Sequence, residues 1–264
     1  MLVGKIPMES PVRVWKVLAQ RDFGLFWVSL LVSAVGDQIS NVTIAWQVYE
    51  ITNSPFQLGL IGLFRALPLI VFSLTGGLLA DRWDRRRLLM VTQSLAMILA
   101  ALLGVLTQTG HVQVWHIYTI TFFAGAVNTF DIPARTAMIP NLVPREQLTT
   151  AFALNVTLRQ TATLGGPFLG GITLAVVGFS WAYYINSLSF VGVIVCLMFM
   201  RIRDGRGASK KESAFQSVRE GFSFVWGNSM IMGLLVMDTC VNFFGAYKAM
   251  MPVFARDLLG VGPG

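Results

Sequence analysis

The sequence is poor in charge. Only 12% of its 264 residues are Asp, Glu, Lys or Arg, against about 25% in an ordinary globular domain. Hydrophobic residues make up 55% of the chain, and they occur in runs of roughly 20, which is long enough to cross a bilayer core of ~30 Å. Backbone groups in lipid must be bonded internally, so such runs must be helices. These features exclude a soluble globular fold and predict an all-α membrane protein.

The residue types that carry most enzyme and metal chemistry are also scarce. The two cysteines, Cys196 and Cys240, lie inside apolar runs, and the two histidines, His111 and His116, share one polar connector. No spacing typical of a metal site, a phosphate loop or a nucleophile elbow occurs. We therefore expect no cofactor, no metal and no enzymatic activity, and a membrane-embedded enzyme is disfavoured.

Seven apolar runs are predicted to span the membrane. They run from about Phe23 to Tyr49, Phe56 to Ala80, Leu88 to Thr107, Ile117 to Asp131, Thr149 to Val177, Trp181 to Met200 and Met230 to Phe254. The predicted organisation is a cytoplasmic segment at 1–22, a six-helix bundle at 23–201, a cytoplasmic loop with an amphipathic helix at 202–229, and the seventh span at 230–264. A single span after a six-helix unit is an odd place to stop, so we expect the sequence to be truncated.

The distribution of basic residues predicts the orientation. Sixteen of the 20 Lys and Arg residues lie in the N-terminal segment and in the loops after the second, fourth and sixth spans, and the three opposite connectors contain none. Cytoplasmic loops carry such an excess of positive charge. We predict a multi-pass protein of the plasma (cytoplasmic) membrane with its N-terminus in the cytoplasm. This pattern also accounts for the net charge of +7 without nucleic-acid binding.

A charged loop joins the second and third predicted spans. Its sequence, GLLADRWDRRRLL, starts at Gly77. Gly77 would allow a neighbouring helix to approach closely, and Asp81 would favour the positive end of another helix. Either Arg85 or Arg86 is placed to pair with Asp131 at the inner end of the fourth span. Anchoring by positive charge alone would explain the arginines, but it would not explain the glycine and aspartate at these positions.

A second pattern of small residues lies on the fifth predicted span. The segment ATLGGPFLGG, starting at Ala162, contains Gly166, Pro167, Gly170 and Gly171. Glycines at such spacing permit close helix contacts, and a proline bends the helix. An ordinary packing face of small residues is the alternative interpretation.

Together the two segments resemble the signature loop and the antiporter motif of the major facilitator superfamily of transporters, in its enterobactin-exporter-like, drug efflux branch. The chain differs from that pattern at Asp84 and Ala162, where the family carries glycine. The resemblance covers essentially the whole chain but only the N-terminal half of a family transporter. It implies two six-helix bundles built from inverted three-helix repeats, with substrate bound between them at the midplane.

The resemblance also assigns roles to the charged loop. It implies that a cluster at the cytoplasmic end latches that side of the transporter shut in the outward-facing state. The residues of this predicted latch are Gly77, Asp81, Arg82, Arg85, Arg86 and Asp131. A C-terminal bundle, missing here, is an expected partner.

Polar residues inside the spans are the candidate proton and substrate groups. Asp37 and Asn41 share a face of the first span, Asn155 and Arg159 form a stripe on the fifth, and Arg65 lies on the second. Charge at bilayer depth is costly and indicates function by default. We expect Asp37 to carry protons and to lie at a depth similar to Arg159. The alternatives are an Asp37–Arg159 pair that only specifies the fold, and an Arg65 that extends to the interface.

The resemblance therefore implies a secondary active transporter that works by alternating access. It is expected to be a proton-coupled exporter of a small molecule, siderophore or drug-like, and two intramembrane arginines would suit an anionic substrate. Protons, the substrate and the lipid bilayer are the expected partners. The alternative is a non-transporting fragment, or a half-unit that acts only with a second bundle.

Overall fold

The fold is a bundle of helices. The structure, a computed structural model, describes residues 14–82, 84–200, 226–244, 251–253 and 255–256, and within these ranges it contains no strand. The helices are α1 (Val14–Leu18), α2 (Arg21–Thr52), α3 (Pro55–Arg82), α4 (Arg85–Gln108), α5 (Val114–Met138), α6 (Leu148–Phe199), α7 (Ser229–Phe244) and α8 (Met251–Val253). Two short 3-10 helices, Ile139–Asn141 and Arg145–Gln147, join α5 to α6.

The predicted spans coincide with these helices. The first four lie within α2, α3, α4 and α5, the fifth lies within α6, and the sixth extends one residue past the end of α6. α5 continues past Asp131 and through Pro133 to Met138, beyond its predicted end, since proline inside a membrane helix is tolerated when neighbouring groups satisfy the freed carbonyl. Most of the predicted loop at 202–229, and part of the seventh span, lie outside the described residues. The count of seven spans and the domain boundaries therefore stay predictions.

Four of the described helical stretches are long and apolar enough to cross a membrane. They are Arg21–Thr52, Pro55–Phe72, Arg85–Gln108 and Arg145–Phe199. α5 is not among them, although its 25 residues reach almost 40 Å at about 1.5 Å per residue. Polar residues such as Asn128 and Asp131 interrupt its apolar sequence, and these polar groups line the interior of the bundle. The composition of the bundle is that of an integral membrane protein.

α6 consists of two arms that meet at Gly178. The backbone of Gly178 has φ 78° and ψ −179°, a left-handed φ that glycine adopts without steric cost. Leu158 and Val193, on opposite sides of Gly178, belong to one cluster of buried residues. The arms at 148–177 and 179–199 therefore run antiparallel, and they correspond to the predicted fifth and sixth spans.

α2 lies between the two arms of α6. A Cβ added at Gly36 would lie 2.6 Å from Oδ1 of Asn186 and 2.7 Å from Oγ of Ser189, both on the second arm. A Cβ added at Gly170, on the first arm, would lie 3.1 Å from the Val42 side chain of α2. Lipid tails are as apolar as leucine, so close packing of this kind holds membrane helices together. α2 and both arms of α6 therefore form one tightly packed unit, beside which α3 packs mainly against α5.

Candidate functional site

The polar centre of the bundle surrounds Asp37. This half-buried residue lies at the middle of the 32-residue α2. The side chain of Asn186, on the second arm of α6, hydrogen-bonds its carboxylate, and the charges of Arg65, Arg135 and Asp131 act on it. Charged and polar groups from α2, α3, α5 and α6 therefore converge at one depth.

Two adjoining cavities open onto this centre. One has a volume of about 480 Å³ and is bordered by helices α2 to α6, and the other has a volume of about 230 Å³ and lies between α2, α5 and the first arm of α6. Both are lined by Asp37, Asn128, Asp131, Ile132, Arg135 and Arg159. Pockets for small molecules typically measure about 300 to 1,000 Å³, so the larger cavity alone is of a suitable size.

Arg65 is exposed, but its guanidinium is directed toward α2. Its Nη2 donates a hydrogen bond of 2.6 Å to Oδ1 of Asn41, and Nδ2 of Asn41 donates one of 2.8 Å to Oε1 of Gln38. The guanidinium also lines the larger cavity. Extension of Arg65 toward the outer interface, one alternative drawn from the sequence, is not the conformation that the structure shows.

Asp131 is enclosed and has polar or charged neighbours on both sides. It is 1% exposed; its Oδ1 accepts hydrogen bonds from Thr92 Oγ1 at 2.8 Å and from Gln93 Nε2 at 2.7 Å. On its other side, Oδ2 forms an ion pair with Arg135, one turn further along α5. The carboxylate thereby joins α4 to α5 and supplies the counter-charge of an intramembrane arginine.

The predicted pairing of Arg85 or Arg86 with Asp131 is wrong. Nη1 of Arg85 donates to the carbonyl oxygen of Ala137 at 2.8 Å, and Nη2 of Arg86 donates to that of Met198 at 2.8 Å. Both carbonyls lie in the last turn of a helix, where no intrahelical donor is available and the helix dipole attracts cations. The two arginines therefore tie the start of α4 to the ends of α5 and α6. The surroundings of Gly77 and the side chains of Asp81 and Arg82 lie outside the described part of the structure, and the latch roles of these three residues stay predictions.

The residue that departs from the family pattern in this loop has a local role. Asp84 is the N-cap of α4, and its Oδ1 accepts a hydrogen bond of 2.8 Å from the backbone N–H of Arg87. Aspartate is among the preferred N-cap residues because it satisfies one of the free N–H groups at a helix start. The exchange of glycine for aspartate is thus compatible with a helix that begins at Arg85.

The glycine motif of the first arm packs against the helix that carries Asp37. Gly166 and Gly170 are buried, and a Cβ at Gly166 would overlap Cβ and Cγ of Gln38. Pro167 lies inside the same helical arm, and Gly171 is half-buried. The motif therefore sets the distance between α6 and the stretch of α2 around Asp37.

We expect Gly166→Ala to destabilise the purified full-length protein by about 1–3 kcal/mol, the usual cost of overpacking. Gly165 is the matched control, since a Cβ there would have nothing within 4 Å, and alanine suits a helix better than glycine. Thermal unfolding in detergent should therefore separate Gly166→Ala from a neutral or stabilising Gly165→Ala. Equal melting temperatures for the two variants would contradict the close contact.

Asn155 and Arg159 lie on the same arm as the glycine motif and face the cavities. Asn155 lines the smaller cavity and Arg159 lines both. Arg159 and Asp37 border the same space, yet among the described residues the structure records no ion pair between them. The sequence predicts that the two residues lie at a similar depth in the membrane. A similar depth on two helices does not determine the direction of a long side chain.

Several residues of the centre were missed from the sequence. Arg135 was counted among the loop cations because it follows Pro133, although its spacing of four residues from Asp131 is the signal of a pair on one helix face. Asn128, Gln93 and Asn186 gave only the weak signal of a polar residue in an apolar run.

Membrane-length helices packed around a polar cavity at mid-depth are the arrangement of one bundle of a secondary transporter. The chain belongs to the family described as transmembrane secretion effector, whose sequence model matches residues 12–264. This family is part of the major facilitator superfamily, which confirms the resemblance found in the sequence motifs.

Curated relatives agree with this assignment. The chain is 24% identical over 252 residues to macrolide efflux protein A of Streptococcus pyogenes, covering 94% of this chain and 61% of that protein. It is 24% identical over 236 residues to the enterobactin exporter EntS of Salmonella typhimurium, covering 89% and 56%. An uncharacterized MFS-type transporter of Bacillus subtilis, YfiS, is 24% identical over 231 residues, covering 85% and 54%. The chain thus spans between 54 and 61% of the length of these relatives.

A solved structure shows the same fold. It is the crystal structure of a bacterial homologue of the human lysosomal transporter Spinster in an inward-facing, unoccupied conformation. The match has a TM-score of 0.73 and 13% identity, and it covers 97% of this chain and 58% of the other. The predicted all-α membrane fold is confirmed, and family and fold are those of transporters rather than enzymes.

Proposed function

We propose that this chain supplies one bundle of a proton-coupled exporter of small molecules that works by alternating access. A second bundle completes the cavity around Asp37, and the proton is carried by that carboxylate. The protein lies in the plasma membrane, with residues 1–22 in the cytoplasm and 23–201 forming the first bundle.

The contrast between two carboxylates in one cavity carries this proposal. Asp131 is enclosed, ion-paired with Arg135 and bonded to Thr92 and Gln93, which is the pattern of a group that specifies the fold. Asp37 is half-buried, lines both cavities and has no ion pair among the residues described. A carboxylate with water access and no fixed counter-ion can take up and release a proton without breaking the bundle.

The class of substrate is proposed from the named relatives. One is a macrolide efflux protein and another an enterobactin exporter, so we propose a siderophore or drug-like molecule as cargo.

The direct test uses the full-length protein in vesicles loaded with either enterobactin or a macrolide. An imposed pH gradient should accelerate the loss of one of them, and an ionophore that collapses the gradient should abolish the effect. Release of both compounds at the rate of protein-free vesicles would contradict the exporter proposal. Faster release that does not change when the pH gradient is imposed or collapsed would contradict proton coupling.

We also propose that Arg85 and Arg86, with Gly77, Asp81 and Arg82, hold the cytoplasmic end of the bundle closed in one orientation. The hydrogen bonds from Arg85 and Arg86 to the carbonyl oxygens of Ala137 and Met198 support this proposal. Contacts of this kind, at the ends of three helices, can be broken and remade without disturbing the core.

The orientation has a simple test with two exposed connector positions. In a variant with Cys196 and Cys240 replaced by alanine, His111→Cys should react with an impermeant thiol reagent in intact cells. Glu146→Cys should react only after the membrane is opened, because the loops rich in Lys and Arg face the cytoplasm. Both side chains are exposed. The reverse labelling pattern would place the N-terminus outside.

A further inference from the structure

We propose that the cavity contains a binding site for an anionic group of the substrate, centred on Arg159 with Arg65 as the second cation. This inference rests on the proposed exporter function and narrows its cargo to molecules that carry a carboxylate, sulfonate, phosphate or phenolate. The two cations, Arg65 of α3 and Arg159 of the first arm of α6, both line the larger cavity.

Among the described residues, Arg159 is a cation without a partner at depth in the membrane. Across the described part of the chain, its side chain forms no hydrogen bond or ion pair; it is exposed and lines both cavities. It lies eleven residues after the start of α6 at Leu148, which is about 17 Å along the helix. The hydrocarbon core is ~30 Å thick, so this side chain lies near its centre. An intramembrane arginine is expensive and is normally paired, so one that lines a cavity without a partner among the described residues indicates a ligand.

The charges around the cavities leave a positive excess. Three guanidinium groups, those of Arg65, Arg135 and Arg159, line the larger cavity together with two carboxylates, those of Asp37 and Asp131. Arg135 and Asp131 neutralise each other in an ion pair. Arg65 has a neutral partner, Asn41, whose oxygen takes up one of its five N–H donors. The cavity therefore favours an anion and disfavours a cation.

Arginine is suited to bind such a group directly. Its planar guanidinium offers a fork of N–H donors that matches the oxygens of a carboxylate, sulfonate or phosphate, whereas a lysine ammonium acts as a point charge. Apolar residues such as Leu69, Leu99 and Phe190 line the rest of the larger cavity. The two features together fit an amphipathic anion with an aromatic or aliphatic body.

The test measures binding to the purified full-length protein, without any gradient. Three probes of similar shape are naphthalene-2-sulfonate, the neutral naphthalene-2-sulfonamide and a naphthyl-trimethylammonium cation, each measured by equilibrium dialysis. The sulfonate should bind about tenfold more tightly than the other two, equivalent to ~1.4 kcal/mol. Arg159→Gln should reduce sulfonate binding to the level of the sulfonamide. Arg159→Lys should keep part of the preference, since the charge remains and the fork is lost.

Arg145→Gln is the matched control, because Arg145 is exposed at the start of the same helix region and does not line either cavity. The anion site would be overturned by a preference for the cation or by equal binding of all three probes. It would also be overturned by unchanged sulfonate binding in Arg159→Gln, or by no saturable sulfonate binding up to about 1 mM (a binding free energy near −4 kcal/mol). Because the assay needs no transport, it separates the two proposals. If vesicles fail to export while the protein still prefers the sulfonate through Arg159, only the exporter proposal is contradicted.

Discussion

Asp37→Asn is expected to reduce pH-driven export by the full-length protein to the level of protein-free vesicles. Asparagine preserves the size of the side chain and its contact with Asn186, but an amide cannot carry a proton at any physiological pH. The measurement is release of the transported compound, enterobactin or macrolide, from vesicles with and without an imposed pH gradient.

A carboxylate on the same helix provides the control. Glu50 is exposed near the far end of α2 and lines neither cavity, so Glu50→Gln should export at the wild-type rate. Undiminished pH-driven export by Asp37→Asn would remove Asp37 from the coupling mechanism and leave it as a structural group.

Arg135→Gln is expected to lower the free energy of unfolding by about 3–5 kcal/mol, because it leaves the carboxylate of Asp131 buried without a counter-charge. Asp131 is 2% exposed at its side chain and Arg135 18%, so the variant removes the main counter-charge of a poorly solvated carboxylate. The measurement is thermal or denaturant unfolding of the purified protein, with Arg145→Gln, an exposed arginine in the following connector, as the control.

The double variant Asp131→Asn, Arg135→Gln should recover most of this loss. Removing both charges leaves a neutral amide that can still bond with Thr92 and Gln93, and replacing a buried ion pair by neutral groups is often tolerated. The interaction free energy from the cycle isolates the pair. Purely additive effects of the two single changes would show that the ion pair contributes nothing of its own.

The helices themselves could be predicted almost entirely from the sequence. Apolar length locates α2, α3 and α4 because the bilayer imposes one requirement, about 20 apolar residues per span. α5 was predicted to end near Asp131 but continues to Met138, because a proline reads as a boundary in sequence and is accommodated in a membrane helix. Gly178 lies in the predicted turn between two spans, where its positive φ makes the short connection possible.

The partners within the site were less predictable, because they depend on side-chain direction. Asp37 was singled out by depth and charge, and it lies at the polar centre, but Arg159 does not pair with it. Arg85 and Arg86 were expected to offer a partner for Asp131, and yet both bond to backbone carbonyls. A search of the sequence for opposite charges does not identify backbone carbonyls at helix ends as acceptors. The ion-pair partner of Asp131, by contrast, is Arg135, whose position four residues further along the same helix can be read from the sequence.

The position of α2 between the two arms of α6 has a mechanical consequence. Gly36, Gly166 and Gly170 bring backbones so close that a shift of α2 alone would break contacts on both of its sides. A motion that preserves these contacts carries α2 and both arms together, and Asp37 and Asn186 then keep their relative geometry. A transport cycle built on this unit would change which side of the membrane the site faces while leaving the architecture of the site intact. The site would then be open to the two aqueous compartments in turn, with the same arrangement of polar groups each time.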